Sequence, residues 1–488
     1  MPDVTFVHPG AQQEIYGPEL ARDLTAIEPP TWARMIAGYI RDRGFSISII
    51  DADAEGLDAK AITARILHNV PSLVVIVVSG QQPSASTQQM VGASAAAKMI
   101  KAYMPNVPIM MAGNHPSALP ERTLREEAID FVCDGEGPIT IEAFLRRDTP
   151  YASIPGLVWW FKDEVVKNPT APLIDDLAKD LHGDVWDLLP MDRYRAHQWQ
   201  CFGDLGKRKP YASIYTTLGC PHACSFCMIN VFQHTNRYRR FAPEFVVGQI
   251  KKLYEQYGVS TIKIADELFI LSKPHYTAIC QGIIDAGLGD KLNMWAYARV
   301  DTVHPENLDL LRRAGIRWLA LGIESGSKHV RDGTDKALRN DDIVGVVRAV
   351  QAVGINVIGN YIFGLHDDDY ATMGATLALA KECNTEFANF YSAMAYPGSK
   401  LYDDAIRTGA TLPETWAGFS QHSFNSRPLD TEHVGGAEIL KFRDEAFLQY
   451  FQRPAFLSMI ESKFGAETLE HVRQMTTVKL RRKLLEPA

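Results

Sequence analysis

Three cysteines crowd into eight positions of this chain. Cys220, Cys224 and Cys227 lie in TLGCPHACSFCMIN with Cys-x3-Cys-x2-Cys spacing. Three thiolates on one short loop can hold three irons of a 4Fe–4S cube and leave the fourth iron without a protein ligand. A fourth cysteine would complete the shell, as in electron-transfer clusters. A structural zinc site needs four ligands and normally pairs two Cys-x2-Cys knuckles. His222 could supply one ligand, but the sequence has no second knuckle. The cysteine total of seven is odd, which in a reducing compartment points to metal ligation rather than disulfides. Cys280 and Cys383 fall in helical stretches and are read as buried packing residues.

The cysteine loop directly follows the first of six regularly spaced apolar runs: 212–217, 260–266, 293–299, 317–324, 356–364 and 388–396. Helical patterns separate them at about 243–257, 274–287, 305–314, 340–353 and 369–383. Six strand–helix units are too few to close the usual eight-stranded barrel, so an open, partial (β/α)6 barrel is expected, with its site at the carboxyl ends of the strands. Upstream, runs at 4–10, 47–53, 73–80, 107–116 and 129–137 alternate with amphipathic helices. Strands that are apolar throughout imply a parallel sheet covered on both faces, and ligands over its carboxyl ends. The fold class is therefore α/β. The expected units are a Rossmann-like domain over 1–145, a linker over 146–205, the partial barrel over 206–405 and a helical segment over 406–488.

The net charge of -8 argues against a broad nucleic-acid surface. The one basic cluster, Lys479, Arg481, Arg482 and Lys483, reads as a solvated helix end, with a weak contact to phosphate or an anionic surface as the alternative. No run approaches the roughly 20 apolar residues of a membrane span, and the N-terminus shows no signal-peptide pattern. A cytoplasmic location is expected.

The cysteine segment resembles the radical S-adenosylmethionine (SAM) superfamily, with Phe226 as the aromatic before the last cysteine. The resemblance extends along the barrel and implies SAM contacts at successive strand ends. They are Asp266 and Glu267 in IADELF, Arg299 in YARVD, and Glu324 and Ser325 in GIESG, followed by the Pro-Gly turn of AYPGSKLY. A carboxylate would accept from the SAM ammonium, and a guanidinium would pair with its carboxylate. The first half resembles the cobalamin-binding domain of one subfamily, through PPTWARMIAGYIRDRGF, AGNHPSALPE and IDFVCDGEGP. The Asp-x-His-x-x-Gly motif that carries a cobalt-ligating histidine is missing, and His8 and His115 stand in other contexts. The resemblance then implies base-off cobalamin with no histidine below the metal. Ser79, Gly80, Gln81 and Gln82 would lie near its lower face. Gly113, Asn114 and His115, with Asp134, Gly135, Glu136 and Gly137, would hold its amides and nucleotide tail.

Taken together, the resemblance implies a cobalamin-dependent radical SAM enzyme. The leading expectation is methyl transfer to an unactivated carbon, or to phosphorus, of a small molecule, with electrons from an external donor such as a flavodoxin or ferredoxin. The alternatives are an oxidative cyclisation, ring contraction or rearrangement without net methyl transfer, and a cobalamin-binding sensor or carrier. A methylthiotransferase is disfavoured, since the first half holds only Cys133 and Cys201. No catalytic residue is assigned; Tyr215, Tyr297, Tyr361, Tyr391 and Tyr396 are candidates for a proton or hydrogen donor.

Overall fold

The computed structural model describes residues 1–336, 338 and 342–486, without the side chains of Pro18, Glu19 and Arg22. Five parallel strands begin the chain: β1 (Val4–His8), β2 (Ile47–Asp51), β3 (Leu73–Val77), β4 (Ile109–Ala112) and β5 (Phe131–Cys133). They pair in the order β2-β1-β3-β4-β5, and every residue of β1, β3, β4 and β5 is buried. Alternation explains why both faces are apolar. Val4, Phe6, Val75 and Val77 meet the helices Thr31–Asp42 and Pro138–Arg146, while Val7, Val74 and Ile76 meet Ala59–His68 and Met90–Tyr103. The order of strands reverses between β1 and β3. That switch point opens a crevice at the carboxyl ends, beside the loop that follows β3.

The stretch expected as a linker does more than connect. It adds two antiparallel strands to this sheet, β6 (Leu157–Phe161) and β7 (Glu164–Lys167). It stays tied to the first half where the Tyr194 hydroxyl donates to Asp51 of β2 at 2.8 Å, and then crosses to the second half. Trp199 packs against Trp295 and Trp318.

The second half opens with β8 (Tyr211–Ile214) and a short ribbon, β9 (Thr217–Leu218) with β10 (Arg239–Arg240), that brackets the cysteine loop. Five further parallel strands follow: β11 (Thr261–Ile264), β12 (Asn293–Arg299), β13 (Ile316–Glu324), β14 (Asn356–Phe363) and β15 (Phe387–Ser392). Together with β8 they form a sheet in plain sequence order, with β8 and β15 at its two edges. This is the open barrel that the spacing of the apolar runs predicts. The helix Gly436–Phe451 covers the β15 edge, with Phe390 against Tyr450 and Phe387 against Phe451. The helices Pro454–Phe464 and Ala466–Met475 follow it, whereas residues 409–435 are largely irregular. Among the described residues, no helix is long and apolar enough to cross a membrane.

One expectation fails in part at the C-terminus. Lys479, Arg481 and Lys483 are exposed, but Arg482 is buried and grips both carboxylate oxygens of Asp444 at 3.0 and 3.1 Å. It also donates to the Ser423 carbonyl. An apolar pattern shows no sign of this pairing, which joins residues 38 positions apart.

The two halves are clasped through charges. Glu136, after β5, receives both ends of the Arg239 guanidinium, and Arg239 also donates to the Ile174 carbonyl and Gln233. Nearby, Asp134 pairs with His234 and with Lys167, each at 2.8 Å. Replacing Arg239 by Met leaves Glu136 buried without its cation and lowers stability by about 3–5 kcal/mol. Unfolding then begins at lower urea, and an unchanged midpoint would contradict the clasp.

Candidate active site

A single cavity of about 790 Å3 lies between the carboxyl ends of the two sheets and runs into the barrel. Gln81, Gln82, Gln88 and Tyr16 line it from the first half. Phe226, Glu267, Arg299 and Glu324 line it from the barrel, and Arg443 and Phe447 from the C-terminal helix.

The cysteine loop is held by its own backbone and its neighbours. Gly219 has φ +86°, and a side chain there would run into the Arg237 carbonyl and Gln233. Asn230 accepts from the Cys220 N–H at 3.0 Å and donates to the Cys220 carbonyl at 2.7 Å. The Ser225 N–H donates to the Thr334 carbonyl, and the Ser225 carbonyl accepts from the Leu401 N–H. Phe226 fills the space between Val330, Leu365 and Ala393. The three cysteines are partly exposed and unbridged. Burial pushes the Cys220 thiol up to about 11 and Cys227 to about 12. Thiols so placed ionise when a cation takes the proton's place. Among the described residues, no three Cys, His, Asp or Glu converge on one point as a single ion requires. Ligands for three separate irons have no need to converge.

The neighbouring carboxylates at the end of β11 have different surroundings. Asp266 faces away from the cavity and is satisfied, accepting from the Thr216 N–H at 2.6 Å and from the Thr216 hydroxyl. Glu267 lines the cavity, and its buried Oε2 has no hydrogen-bond partner among the described residues. Desolvation pushes its pKa up to about 8. An orphaned carboxylate oxygen of this kind fits an incoming ammonium group. Arg299 lines the cavity with its guanidinium held by Asp301 at 2.9 and 3.2 Å. Glu324 sits at φ +65°, strained for a residue with a side chain, where the β13–β14 register shifts. Lys336 holds its carboxylate. Ser325 lies outside the cavity lining, its hydroxyl bonded to Thr376 at 3.1 Å. Of the five SAM-contact residues expected from sequence, the structure gathers Glu267, Arg299 and Glu324 on the cavity and gives Asp266 and Ser325 partners beside it.

The first half divides in the same way. Gln81 and Gln82 face the cavity. Ser79 is turned to Asn114 at 3.0 Å, and Gly80 donates to Ser86 at 2.9 Å. Gly113 has φ +110° and no room for a side chain beside the Val78 carbonyl. His8 stands 3.8 Å from Asp53, and His115 is bonded to Thr87 and packed edge-on against Trp416. Neither histidine lines the cavity. Buried Asn114 Nδ2, His115 Nε2 and Gln89 Oε1 have no hydrogen-bond partner among the described residues, and of the three residues Gln89 lines the cavity. Gly135 and Gly137 adopt φ of +128° and +103°, and the Gly135 N–H donates to Ser117. Asp134 and Glu136 are engaged in the clasp to the barrel.

Sequence reasoning missed Lys263 and Glu28. Both line the cavity and are buried together, with Lys263 Nζ at 3.0 and 3.2 Å from the Glu28 carboxylate and 2.7 Å from the Gln81 carbonyl. The only signal was a lysine inside an apolar strand. Of the tyrosines, Tyr297, Tyr391 and Tyr396 line the cavity, while Tyr215 and Tyr361 lie outside the lining.

The B12-binding domain family matches residues 20–145, and the radical SAM superfamily matches residues 214–380. The chain is a radical SAM enzyme with a B12-binding domain. Similar proteins span nearly all of this radical SAM enzyme. "Uncharacterized methyltransferase PH0819" of Pyrococcus horikoshii is 28% identical over 433 residues, covering 88% of this chain and 89% of its own. The anaerobic magnesium-protoporphyrin IX monomethyl ester cyclase of Rubrivivax gelatinosus is 24% identical over 466 residues, covering 93% and 78%. The structure of TsrM, a radical SAM methyltransferase from Kitasatospora setae with cobalamin and a 4Fe–4S cluster bound, matches with a TM-score of 0.69. It covers 97% of this chain and 100% of its own at 16% identity, a likeness of fold.

Because burial raises the Glu267 pKa, the folded enzyme keeps a proton that the unfolded chain releases above its ordinary 4.5. Stability through this group is greatest at low pH and declines as pH rises toward about 8. Glu267→Gln removes the decline. In urea unfolding the variant gains on its parent from about pH 5 to about pH 8, and a constant difference would count against burial as the cause.

Proposed function

We propose that this enzyme uses cobalamin and a SAM-derived radical to methylate an unactivated carbon of a small molecule. One observation carries the proposal. The loop after β3, with Gln81 and Gln82, and the barrel residues Phe226, Glu267, Arg299 and Glu324 share a single cavity. Two reaction centres that face the same chamber can act on one substrate without releasing it, and proximity of this kind is a large catalytic effect.

In this reading Cys220, Cys224 and Cys227 ligate three irons, while Glu267 receives the SAM ammonium and Arg299 its carboxylate. Glu324, fixed by Lys336, is an acceptor for the remaining hydroxyls. Gln81, Gln82 and Gln88 present neutral amides to the corrin, and Gly113, Asn114, Gly135 and Gly137 shape the crevice for its tail. When bound, these groups supply a 5′-deoxyadenosyl radical and a transferable methyl group. The chain's own work is to orient and to exclude water. Val478, Leu480 and Leu485 of the tail line the cavity and wall off its outer side. Tyr297, Tyr391 and Tyr396 keep their protons at neutral pH, since burial raises the pKa of all three. Each can donate a proton into the chamber.

The 24% identity to the cyclase across 93% of this chain favours a second reading, oxidative cyclisation without net methyl transfer. Anaerobic reconstitution with methyl-labelled SAM, cobalamin and a flavodoxin-type reductant separates the two. Label in the product supports methylation, whereas deoxyadenosine with no transferred label supports cyclisation. A protein that takes up the cluster and never cobalamin would overturn both. Cys224→Ala is expected to lose the visible iron–sulfur absorption and to reduce deoxyadenosine formation to background.

A further inference from the structure

The wall of the cavity formed by the C-terminal helix carries a charge imbalance. Asp444 accepts a two-pronged bond from Arg482, at 3.0 and 3.1 Å, and the remaining Arg482 nitrogen donates to the Ser423 carbonyl. Arg443 reaches the same carboxylate through Nη1 alone, at 2.7 Å, and its Nε donates to the Phe390 carbonyl at 2.7 Å. Two buried guanidiniums thus share one carboxylate. Arg443 Nη2 has no acceptor among the described residues, and Arg443 lines the cavity. The nearest ring groups add no negative charge. His422 is neutral, its pKa held near 3 by burial and the adjacent Arg443 and Arg482. Tyr391 is held protonated by burial. Lys441 and Glu445, one helical turn apart, also line the cavity but are exposed at its rim and offset each other.

A buried guanidinium with half a counter-ion is costly unless an anion completes it, and the planar fork suits a carboxylate or phosphate oxygen pair. On the same two elements, β15 and the C-terminal helix, apolar Phe390, Tyr391, Phe447 and Leu448 line the cavity beside polar Asn389 and Ser392. We propose that Arg443 is the anchor for the substrate of this enzyme, an apolar molecule bearing one oxyanion, carboxylate or phosphonate, that docks against the C-terminal helix. The inference rests on the cavity being the reaction chamber, and it names the class of molecule that the chamber takes.

The test is direct binding to the reconstituted enzyme, by equilibrium dialysis, of 3-phenylpropionate, 3-phenylpropylphosphonate and 3-phenylpropanamide. Both anions are expected to bind more tightly than the amide, and added salt to narrow the gap. Whichever anion binds better identifies the oxyanion. Arg443→Gln should weaken the anions roughly tenfold to a hundredfold, the range for one hydrogen bond to a charged group, while leaving the amide unchanged. Arg443→Lys should restore part of the difference. Melting temperature and the visible iron–sulfur spectrum report separately on folding. A purely structural Arg443 would lower the melting temperature in the Gln variant without changing the discrimination, and that result overturns the proposal. Equal binding of acid and amide by the parent enzyme, or no binding of either anion at millimolar concentration, overturns it as well. Cobalamin uptake is scored in parallel, so failure of the two-cofactor reading is distinguishable from failure of the anion anchor.

Discussion

Two buried ion pairs between the halves, Glu136 with Arg239 and Glu28 with Lys263, are the constraint on which the site depends. Charges taken out of water are expensive, and attraction offsets the expense only when the remaining hydrogen bonds are also made. Here most of them are: Arg239 adds the Ile174 carbonyl and Gln233, with its Nε left without a partner among the described residues, and Lys263 adds the Gln81 carbonyl. These directional contacts allow little sliding between the sheets. They lock the loop after β3 to a barrel strand and the loop after β5 to the ribbon around the cysteines. The shared cavity is what remains between two sets of strand ends held in that way.

Within the cavity, electrostatics assign different work to similar groups. Asp266 and Glu267 are adjacent in sequence, yet one is saturated by Thr216 and the other has a buried oxygen without a partner among the described residues. The first fixes the end of β11 to the strand that leads into the cysteine loop. The second remains available to a cation. Arg482 and Arg443 repeat the contrast with opposite sign, since Arg482 is fully engaged and Arg443 is not. In each pair the satisfied member builds the wall and the unsatisfied member faces the chamber.

Much of this was legible before any coordinates. The six barrel strands, the five strands of the first sheet and the helices between them follow from runs of apolar residues whose period and length are local properties. The cysteine spacing is equally local, because a single loop supplies all three thiolates. Gln81, Gln82, Glu267, Arg299 and Glu324 were singled out by the family resemblance; they lie at or just beyond strand ends, which in a parallel sheet share one face, and they line the cavity. Asp266, Ser325, Ser79 and His115 also end strands but point elsewhere, and no periodicity predicts which way a residue in an irregular loop turns.

By itself, then, the sequence determined the elements, their α/β order and the cysteine loop, all of which depend on neighbours a few residues apart. Only the tertiary structure decided that two sets of strand ends open into one chamber. It alone brought Lys263 to Glu28 and Arg482 to Asp444, and it alone left Glu267 and Arg443 incompletely paired. The physical reason is that pairing of buried charges is decided between residues tens to hundreds of positions apart, by which carboxylate each cation reaches after the core has packed.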